Sequence, residues 1–342
     1  MKHYLLVLWI AAALIGCAGY GYYWHYVAGR LQTGIEDWAV QQRALGHEIA
    51  FETDPISGFP FAFRTQFRAV ALTWHLPSGA VSIAGDRLTA ELRPWNLQAI
   101  HVISAQPLTA SLADGASAPQ QARLRDGVAD IALHGGGQLK TIALTASGAE
   151  IDGPQGTYAA DKVELAVELP TDMPADYHQP LLGFDVNLAA LRLPPGQRAL
   201  TAEAIETTAA AGSIMGPVPP ATSLRDAIAG WAGAGGVLEL KSFTFAQAPL
   251  RVAGEGTLTL DEALQPLGAL AIRAQGLPDT IALLERDGVI DAQAAKTGGI
   301  MAKGLAKPDA EGHEVVSVSL SLQQGYLWLG PVKLAPLPAV AW

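Results

Sequence analysis

Few residues in this chain have the types and spacing that catalysis or metal binding requires. The 8 histidines are scattered, and none forms a His-x-His or His-x-x-x-His pair that could bind zinc from a single element. The segment His134-Gly135-Gly136-Gly137 has the composition of an esterase oxyanion loop. Because the sequence contains no Gly-x-Ser-x-Gly elbow to supply a nucleophile, we predict that this segment is a turn between two strands.

The remaining chemical signals are equally weak. Gly254-x-Gly256 begins like a dinucleotide fingerprint, but it lacks the third glycine and runs into a strand pattern instead of a helix. Adjacent carboxylates such as Asp261-Glu262 favour a solvated surface, although only a structure can show whether distant carboxylates meet. Arg64 and Arg68 either hold an anionic head group or face water, and we expect water. We therefore predict a protein that is not an enzyme, with no catalytic, cofactor-binding or metal-ligating residues.

Composition narrows the fold and the partners. Of the 342 residues, half are hydrophobic and only 16% are charged, while 36 glycines and 22 prolines favour many short strands joined by turns. A net charge of -10 without any basic stripe excludes nucleic acid as an expected partner. Cys17 is the only cysteine, so the chain cannot form an intramolecular disulfide.

The first thirty residues predict a membrane segment. Tyr4 to Tyr23 carries no charge, and a helix of this length rises about 30 Å, which matches the hydrocarbon core of a bilayer. Lys2 precedes this stretch, and an aromatic cluster with Arg30 follows it, as at a membrane interface. We expect a single-pass inner-membrane anchor at residues 1–29, with the bulk of the chain in the periplasm.

Two other interpretations of this segment remain open. Leu14-Ile15-Gly16-Cys17 is similar to a lipobox, in which Cys17 would be acylated. Small residues at Ala11–Ala13 and Ala18 could instead serve an export signal that is cleaved. The apolar run continues beyond both sites and favours an uncleaved helix. All three interpretations place the bulk of the chain in the cell envelope.

After residue 50 the dominant pattern is alternation of apolar and polar residues, which is typical of antiparallel sheet. Strands are predicted at Ala80–Leu92, Ala99–Leu112, Val128–Leu133, Leu139–Ala146, Val163–Leu169, Asp185–Leu193, Val237–Phe245, Arg251–Leu260 and Gly268–Ala274, with a closing hairpin of Val316–Leu322 and Tyr326–Leu334. Helices are predicted at Arg30–Gly46, Ala221–Trp231, Pro278–Arg286 and Asp291–Leu305. The expected organisation is an anchor at 1–29, an amphipathic stalk helix at 30–50, and a β-rich envelope domain at 51–342 with a sub-boundary near 212–222.

The stretch Ser57 to Arg64, SGFPFAFR, predicts a bent strand. Phe59, Phe61 and Phe63 alternate on one face, but the apolar parity changes from Val70 onward. A strand changes parity in this way only at a bulge or bend, so we expect one near Arg68-Ala69. The fold class that follows is mainly β, with long curved antiparallel sheet and a few short helices, preceded by one N-terminal transmembrane helix. We expect the three phenylalanines to pack against other side chains.

Several of these segments together resemble a known bacterial family. They are the aromatic end of the first helix (Tyr22-Tyr23-Trp24), the helix containing Trp38, the element Ser57-Gly58-Phe59-Pro60-Phe61, and the closing Gly325-Tyr326-Leu327-Trp328-Leu329-Gly330-Pro331-Val332-Lys333-Leu334. In this respect the chain is similar to the uncharacterised envelope proteins called domain of unknown function 2125. The closing segment is also similar, more weakly, to AsmA-like envelope proteins, which implies extended sheet that binds or conveys lipid.

Two functions follow as hypotheses. The first is a membrane-anchored periplasmic protein that binds or conveys lipid or another hydrophobic ligand through a groove in a curved β-sheet. The second is a non-catalytic structural or assembly factor that binds a protein partner along its sheet. A hydrolase whose site is assembled from distant residues is a third and weaker alternative. In both cases the inner membrane is an expected partner through the N-terminal helix, and lipid or another hydrophobic ligand is a further one.

Overall fold

A computed structural model describes residues 2–76, 79–113, 120–153, 156–194, 200, 204–221, 223–310 and 312–337, with the side chains of 2–7 and Ala335 left out. These residues form four helices and one antiparallel sheet of 20 strands. The helices are α1 Lys2–Ala44, α2 Leu224–Gly233, α3 Leu277–Arg286 and α4 Ala292–Leu305. The strands are β1 Glu48–Thr53, β2 Phe63–Leu76, β3 Gly79–Arg93, β4 Asn96–Ser104, β5 Leu108–Ala113, β6 Gln120–Leu124, β7 Gly127–Leu133, β8 Leu139–Ala146, β9 Ala149–Gly153, β10 Gly156–Ala160, β11 Lys162–Glu168, β12 Pro180–Leu191, β13 Ile205–Met215, β14 Val237–Gln247, β15 Leu250–Leu260, β16 Pro266–Gln275, β17 Ala306–Pro308, β18 Glu314–Gln323, β19 Tyr326–Leu329 and β20 Val332–Pro336.

The helix α1 joins the predicted anchor and the predicted stalk into one continuous element. It ends next to Gly46, whose φ of 88° permits the left-handed turn that commonly follows a helix. Within the part of the chain described with its side chains, no helix is long and apolar enough to cross a membrane. The predicted uncharged stretch from Tyr4 lies partly outside that part, since its first four side chains are not described.

The sheet is a meander in which strands that follow one another in the sequence lie side by side. At four positions in the sheet, two consecutive shorter strands lie end to end in place of one long strand (β4 with β5, β6 with β7, β8 with β9, β10 with β11). The predicted strand Ala99–Leu112 is one of these, broken between Ser104 and Leu108, where Pro107 has no N–H to donate. From β12 to β16 the strands are 10 to 12 residues long and pair without such a break.

The bend predicted near Arg68-Ala69 is confirmed. Ala69 has a φ of 49°, a conformation that is uncommon for a residue with a Cβ, and the pairing of β1 with β2 shifts register opposite it. The extra residue lets Phe67 and Val70 belong to the same apolar set although their sequence parity differs. The change of parity in the sequence was therefore a correct signal of strand curvature.

Two predicted boundaries differ from the structure. The strand that contains Phe63 begins at that residue, because Phe59–Ala62 forms a turn closed by the Phe61 and Ala62 N–H groups donating to the Gly58 carbonyl. Phe59 and Phe61 therefore do not share a strand face with Phe63. We also did not predict β13, whose central Ala209-Ala210-Ala211-Gly212-Ser213 has none of the β-branched and aromatic residues that mark strands.

The three helices predicted after residue 50 are confirmed, and two of them begin with a side-chain cap. The Ser223 side chain accepts a hydrogen bond from the backbone N–H of Asp226 at the start of α2, and Asp291 does the same for Ala294 at the start of α4. Such caps satisfy backbone donors that a helix leaves unpaired at its first turn. The Gly298-Gly299 pair does not interrupt α4.

The sheet is for the most part a single layer. The chain exposes 20685 Å² of surface, whereas a compact monomer of this length exposes only about 13,000 Å². The projecting helix α1 accounts for part of the excess. The rest follows because, among the described residues, no second sheet covers this one, so its apolar side chains are half-buried and few are fully buried.

Candidate functional site

One apolar row crosses the whole sheet. Following the paired residues from strand to strand gives Phe63, Leu92, Ile100, Ile131, Ile142, Val167, Phe184, Gly212, Leu240, Gly256, Leu270, Leu320, Leu329 and Val332. Paired residues point to the same side of an antiparallel sheet, so all 14 lie on one face. At about 4.8 Å per strand, the row is about 60 Å long. We call these residues the apolar row.

A second row runs beside it on the same face. Its members are Ala90, Val102, Ala129, Leu144, Leu165, Val186, Ala210, Phe243, Gly254, Ile272 and Val318. The second row continues to Thr65 of β2, which pairs with Ala90 and is its one polar member. The side that carries both rows is called the apolar face below. Its width of two or more residues is enough to contact an extended hydrocarbon chain.

The opposite face is polar and holds ion pairs. Arg64 donates to Glu91 across β2 and β3, with 2.6 Å between the Nη2 and Oε2 atoms, and His101 contacts Asp130 at 2.6 Å across the next strands. The hydrogen bond from Arg64, with further attraction from Arg93 and His101, lowers the pKa of Glu91 below its usual range despite partial burial. Charged groups therefore lie on the side of the sheet that the apolar row does not use.

The helix α1 packs on the apolar face over the first strands. Trp24 stacks on Phe63 with 5.2 Å between ring centroids, and its indole N–H donates to the Ala62 carbonyl at 3.1 Å. Phe63 is only 1% exposed. Further along α1, Leu31 and Ile35 close a cavity of about 170 Å³ whose floor is built from the first strands of both rows.

The helix α2 closes a larger cavity at the far half of the sheet. Its volume is about 450 Å³, within the range of pockets that hold small molecules. Aliphatic side chains and the ring of Trp231 form its wall, the sheet contributing Leu181, Ile214, Leu238, Leu258, Leu260 and Pro266. The two polar groups in the wall are already bonded within the protein, since Trp231 donates to the Met215 carbonyl at 2.8 Å and Thr259 donates to that of Gly236 at 2.7 Å.

The hairpin of α3 and α4 lies at the opposite end of the same strands. Leu284 and Val289 contribute to a cavity of about 270 Å³ together with Phe245, which lies two residues beyond Phe243 of the second row. Helices thus cover the apolar face at its beginning and at both ends of the later strands. The middle of the face, around Val186, Ile272 and Leu270, is half-buried.

The residues singled out for chemistry do not come together as a site. His134–Gly137 is the predicted turn between β7 and β8, closed by the Gly137 N–H donating to the His134 carbonyl at 2.9 Å. Gly254 and Gly256 lie inside β15. Arg68 pairs with Asp54 at 2.8 Å, so both arginines that were considered for a head group have carboxylate partners. Among the described residues, no group of three His, Cys, Asp or Glu is arranged to hold a metal ion.

The comparison with known proteins decides the family. A family model described as an uncharacterized protein conserved in bacteria (DUF2125) matches residues 24–338. The chain belongs to this family. The match begins at Trp24, in the cluster that holds α1 on the sheet, and continues to the last described strand, so the whole apolar row lies inside it. No curated protein and no solved structure matches the chain. The weaker resemblance to AsmA-like proteins stays a prediction.

The apolar row is the feature that sequence reasoning missed. Each strand showed an alternating pattern, but nothing in the sequence fixes how one strand aligns with the next. The alignment is harder still to predict where two short strands replace one long strand, and at the bulge between Ala211 and Gly212, because the spacing of paired residues along the chain changes there. The available signal was that apolar residues recur at every second position in consecutive strands. This pattern predicts an apolar face, but it does not predict how long or how continuous that face is.

Proposed function

We propose that this protein is a non-catalytic, membrane-anchored envelope protein that binds hydrocarbon chains of lipids along the apolar face of its sheet. The observation that carries the proposal is the apolar row, which continues for about 60 Å without a polar side chain. The part of the face between the covering helices, around Val186, Leu270 and Ile272, leaves half-buried apolar side chains without a covering element, and contiguous accessible apolar surface of this kind marks an interaction site. Its coverage by a ligand removes apolar surface from water, at about 0.8 kcal/mol for each methylene buried.

The cavity under α2 supports an alkyl chain over a polar ligand. Its wall offers no free hydrogen-bond donor from Trp231 or Thr259, because the N–H of one and the O–H of the other already donate to carbonyls of the protein. A ligand with a hydroxyl or a charge would lose its own hydration there without compensation. The head group of a lipid is therefore expected to remain outside this cavity, in solvent.

The membrane anchor is the second part of the proposal. The sequence from Tyr4 to Tyr23 is uncharged, and Leu5, Leu6 and Val7 continue the apolar run of α1 toward its N-terminus. Since α1 packs directly on Phe63 and the first strands, the same helix that enters the bilayer would deliver the beginning of the apolar row to it. Lipid could then pass between the bilayer and the sheet without crossing water.

The decisive experiment compares two neighbouring arginine variants of the full chain in detergent, with the fluorescent fatty acid cis-parinaric acid as the probe. Leu258→Arg places an unpaired charge in the cavity wall under α2, whereas Thr257→Arg places the same charge on the exposed polar face one residue earlier. We expect Leu258→Arg to weaken binding at least about tenfold and Thr257→Arg to leave it unchanged. Equal affinity in both variants would overturn the proposal.

A second variant guards against loss of folding. Ala227 lies in the α2 wall of the cavity, so Ala227→Trp fills the space with an apolar ring and introduces no charge. If acyl chains enter this cavity, the probe should bind more weakly to Ala227→Trp while circular dichroism stays that of the wild type. Unchanged probe binding in a folded Ala227→Trp protein would exclude this cavity as the binding site.

A further inference from the structure

We infer that two uncharged loops at the start of the sheet dock on the surface of a phospholipid bilayer. The loops are residues 58–62, between β1 and β2, and 94–97, which connect β3 to β4 and overlap the first residues of β4. We call them the docking loops. The inference rests on the membrane association proposed for α1, but it concerns a second contact that the helix itself does not make.

Both docking loops are held against α1 at one level. Tyr20 donates from its hydroxyl to the Pro60 carbonyl, and Tyr23 donates to the Pro94 carbonyl at 2.9 Å. The ring of Phe59 lies 5.6 Å from that of Trp24 and 6.1 Å from that of His25. The loops therefore flank the helix at Tyr20–His25, shortly before Arg30, which is the first charged residue after Lys2.

The outward side chains of the docking loops are large and apolar. Phe61 is 67% exposed and Trp95 is 68% exposed, and Phe59 and Leu97 are also open to solvent. Neither loop contains a charged residue. On α1 itself, Tyr22 and Tyr26 stack on one another at 6.4 Å and are exposed as well.

A bilayer interface is the partner that fits this chemistry. Trp and Tyr concentrate at the boundary between head groups and acyl chains, where one end of the ring is apolar and the other is wet. The docking loops contact α1 in its aromatic segment Tyr20–His25, so a helix inserted up to Tyr23 brings Phe61 and Trp95 to that boundary. A protein partner would have no such reason to be aligned with the end of the apolar helix.

Docking in this position has a consequence for the apolar face. The Phe63 and Leu92 end of the apolar row lies directly behind the two docking loops. Leu31 and Ile35, which close the cavity over these strands, lie 8 and 12 residues beyond Tyr23 on α1, so this cavity would lie about 12–18 Å above the boundary, behind that end of the row. The docking loops would thus hold the Phe63 and Leu92 end of the apolar face at the bilayer surface, whereas attachment through α1 alone would not fix its distance from the bilayer.

The test uses the full chain in nanodiscs of phosphatidylethanolamine and phosphatidylglycerol, with a polarity-sensitive fluorophore on a single cysteine. Native Cys17 is exposed on α1 and reports insertion of the helix. In a Cys17→Ser background, Phe61→Cys and Trp95→Cys report the docking loops. Ser319→Cys, exposed on the polar face of β18, is the matched control. Lipids with a spin label near the glycerol backbone serve as the quencher.

We expect labels at positions 61 and 95 to lose about half of their emission to the shallow quencher, and the label at 319 to lose none. Labels at 61 and 95 that behave like the one at 319, with the label at 17 shielded in the bilayer, would overturn docking and leave the anchor intact. A label at 17 that stays in water would instead refute the proposed anchor. In that case quenching at 61 and 95 would still support docking, and its absence would refute both.

Discussion

Replacing Phe63 with alanine should release α1 from the sheet. The Phe63 side chain is 1% exposed and lies between Trp24 of the helix and Leu92 of the next strand. Truncating a fully buried phenylalanine costs about 3–5 kcal/mol, through lost burial and the cavity left behind. At about 1.4 kcal/mol per tenfold change, the open form of this junction should become on the order of 100-fold to 3,000-fold more populated.

Hydrogen exchange measured by mass spectrometry on the full chain in nanodiscs reads this opening directly. Amides of α1 between Trp24 and Ala39 should exchange faster in Phe63→Ala, because Trp24, Ala28 and Ala39 are buried by the contact. Phe61→Ala is the matched control, since Phe61 lies two residues away, is 67% exposed, and should change stability by less than about 0.5 kcal/mol. Equal protection of α1 in the wild type and in Phe63→Ala would refute the packing of helix and sheet described above.

Two further predictions concern the same region. Arg64 lowers the pKa of Glu91, so their pairing stabilises the fold at pH values above the ordinary glutamate pKa. This stability is lost as the pH falls through the lower pKa that Glu91 has in the folded protein. Arg64→Met should therefore remove up to about 1 kcal/mol of stability at neutral pH and weaken the acid dependence of unfolding, measured by urea titrations followed by fluorescence. A Glu91→Gln variant that unfolds with the wild-type acid dependence would contradict the assignment. Gly58 has a φ of 101°, and a Cβ there would lie 2.8 Å from a backbone oxygen, so Gly58→Ala should destabilise the protein by about 1–3 kcal/mol. Gly34→Ala, in α1 with free space around it, should instead stabilise by about 0.5–1 kcal/mol, and the opposite order of the two melting temperatures would show the reasoning to be wrong.

Local features of the fold could be predicted from the sequence wherever a short stretch of residues determines the local backbone structure. The cap at Asp291, the turn at His134–Gly137 and the bend at Ala69 each follow from residues within one or two turns of chain. The strand β13 was missed because its alanines and glycine carry little strand preference of their own. Its position is set by pairing with β12 and β14, which is a tertiary effect.

The candidate site was less accessible to sequence reasoning than the fold class. A concave or apolar groove was expected, but the row from Phe63 to Val332 depends on thirteen successive registers and on bulges such as the one before Gly212. The three phenylalanines near residue 60 illustrate the same limit. Phe63 packs as expected, while the turn begun by Gly58 leaves Phe61 in solvent, and alternation alone does not reveal that the strand starts four residues after Phe59.

The central claim is that lipid chains lie along the apolar face, and photocrosslinking tests it most directly. A phosphatidylethanolamine with a diazirine in its acyl chain is irradiated in nanodiscs with the full-length protein, and the adducts are mapped by mass spectrometry. We predict adducts on apolar-row residues far from the docking loops, such as Leu270 and Leu320, and none on their polar-face neighbours Ala271 and Ser319. Adducts confined to α1 and the docking loops would contradict it, since the later strands would then have no part in binding lipid.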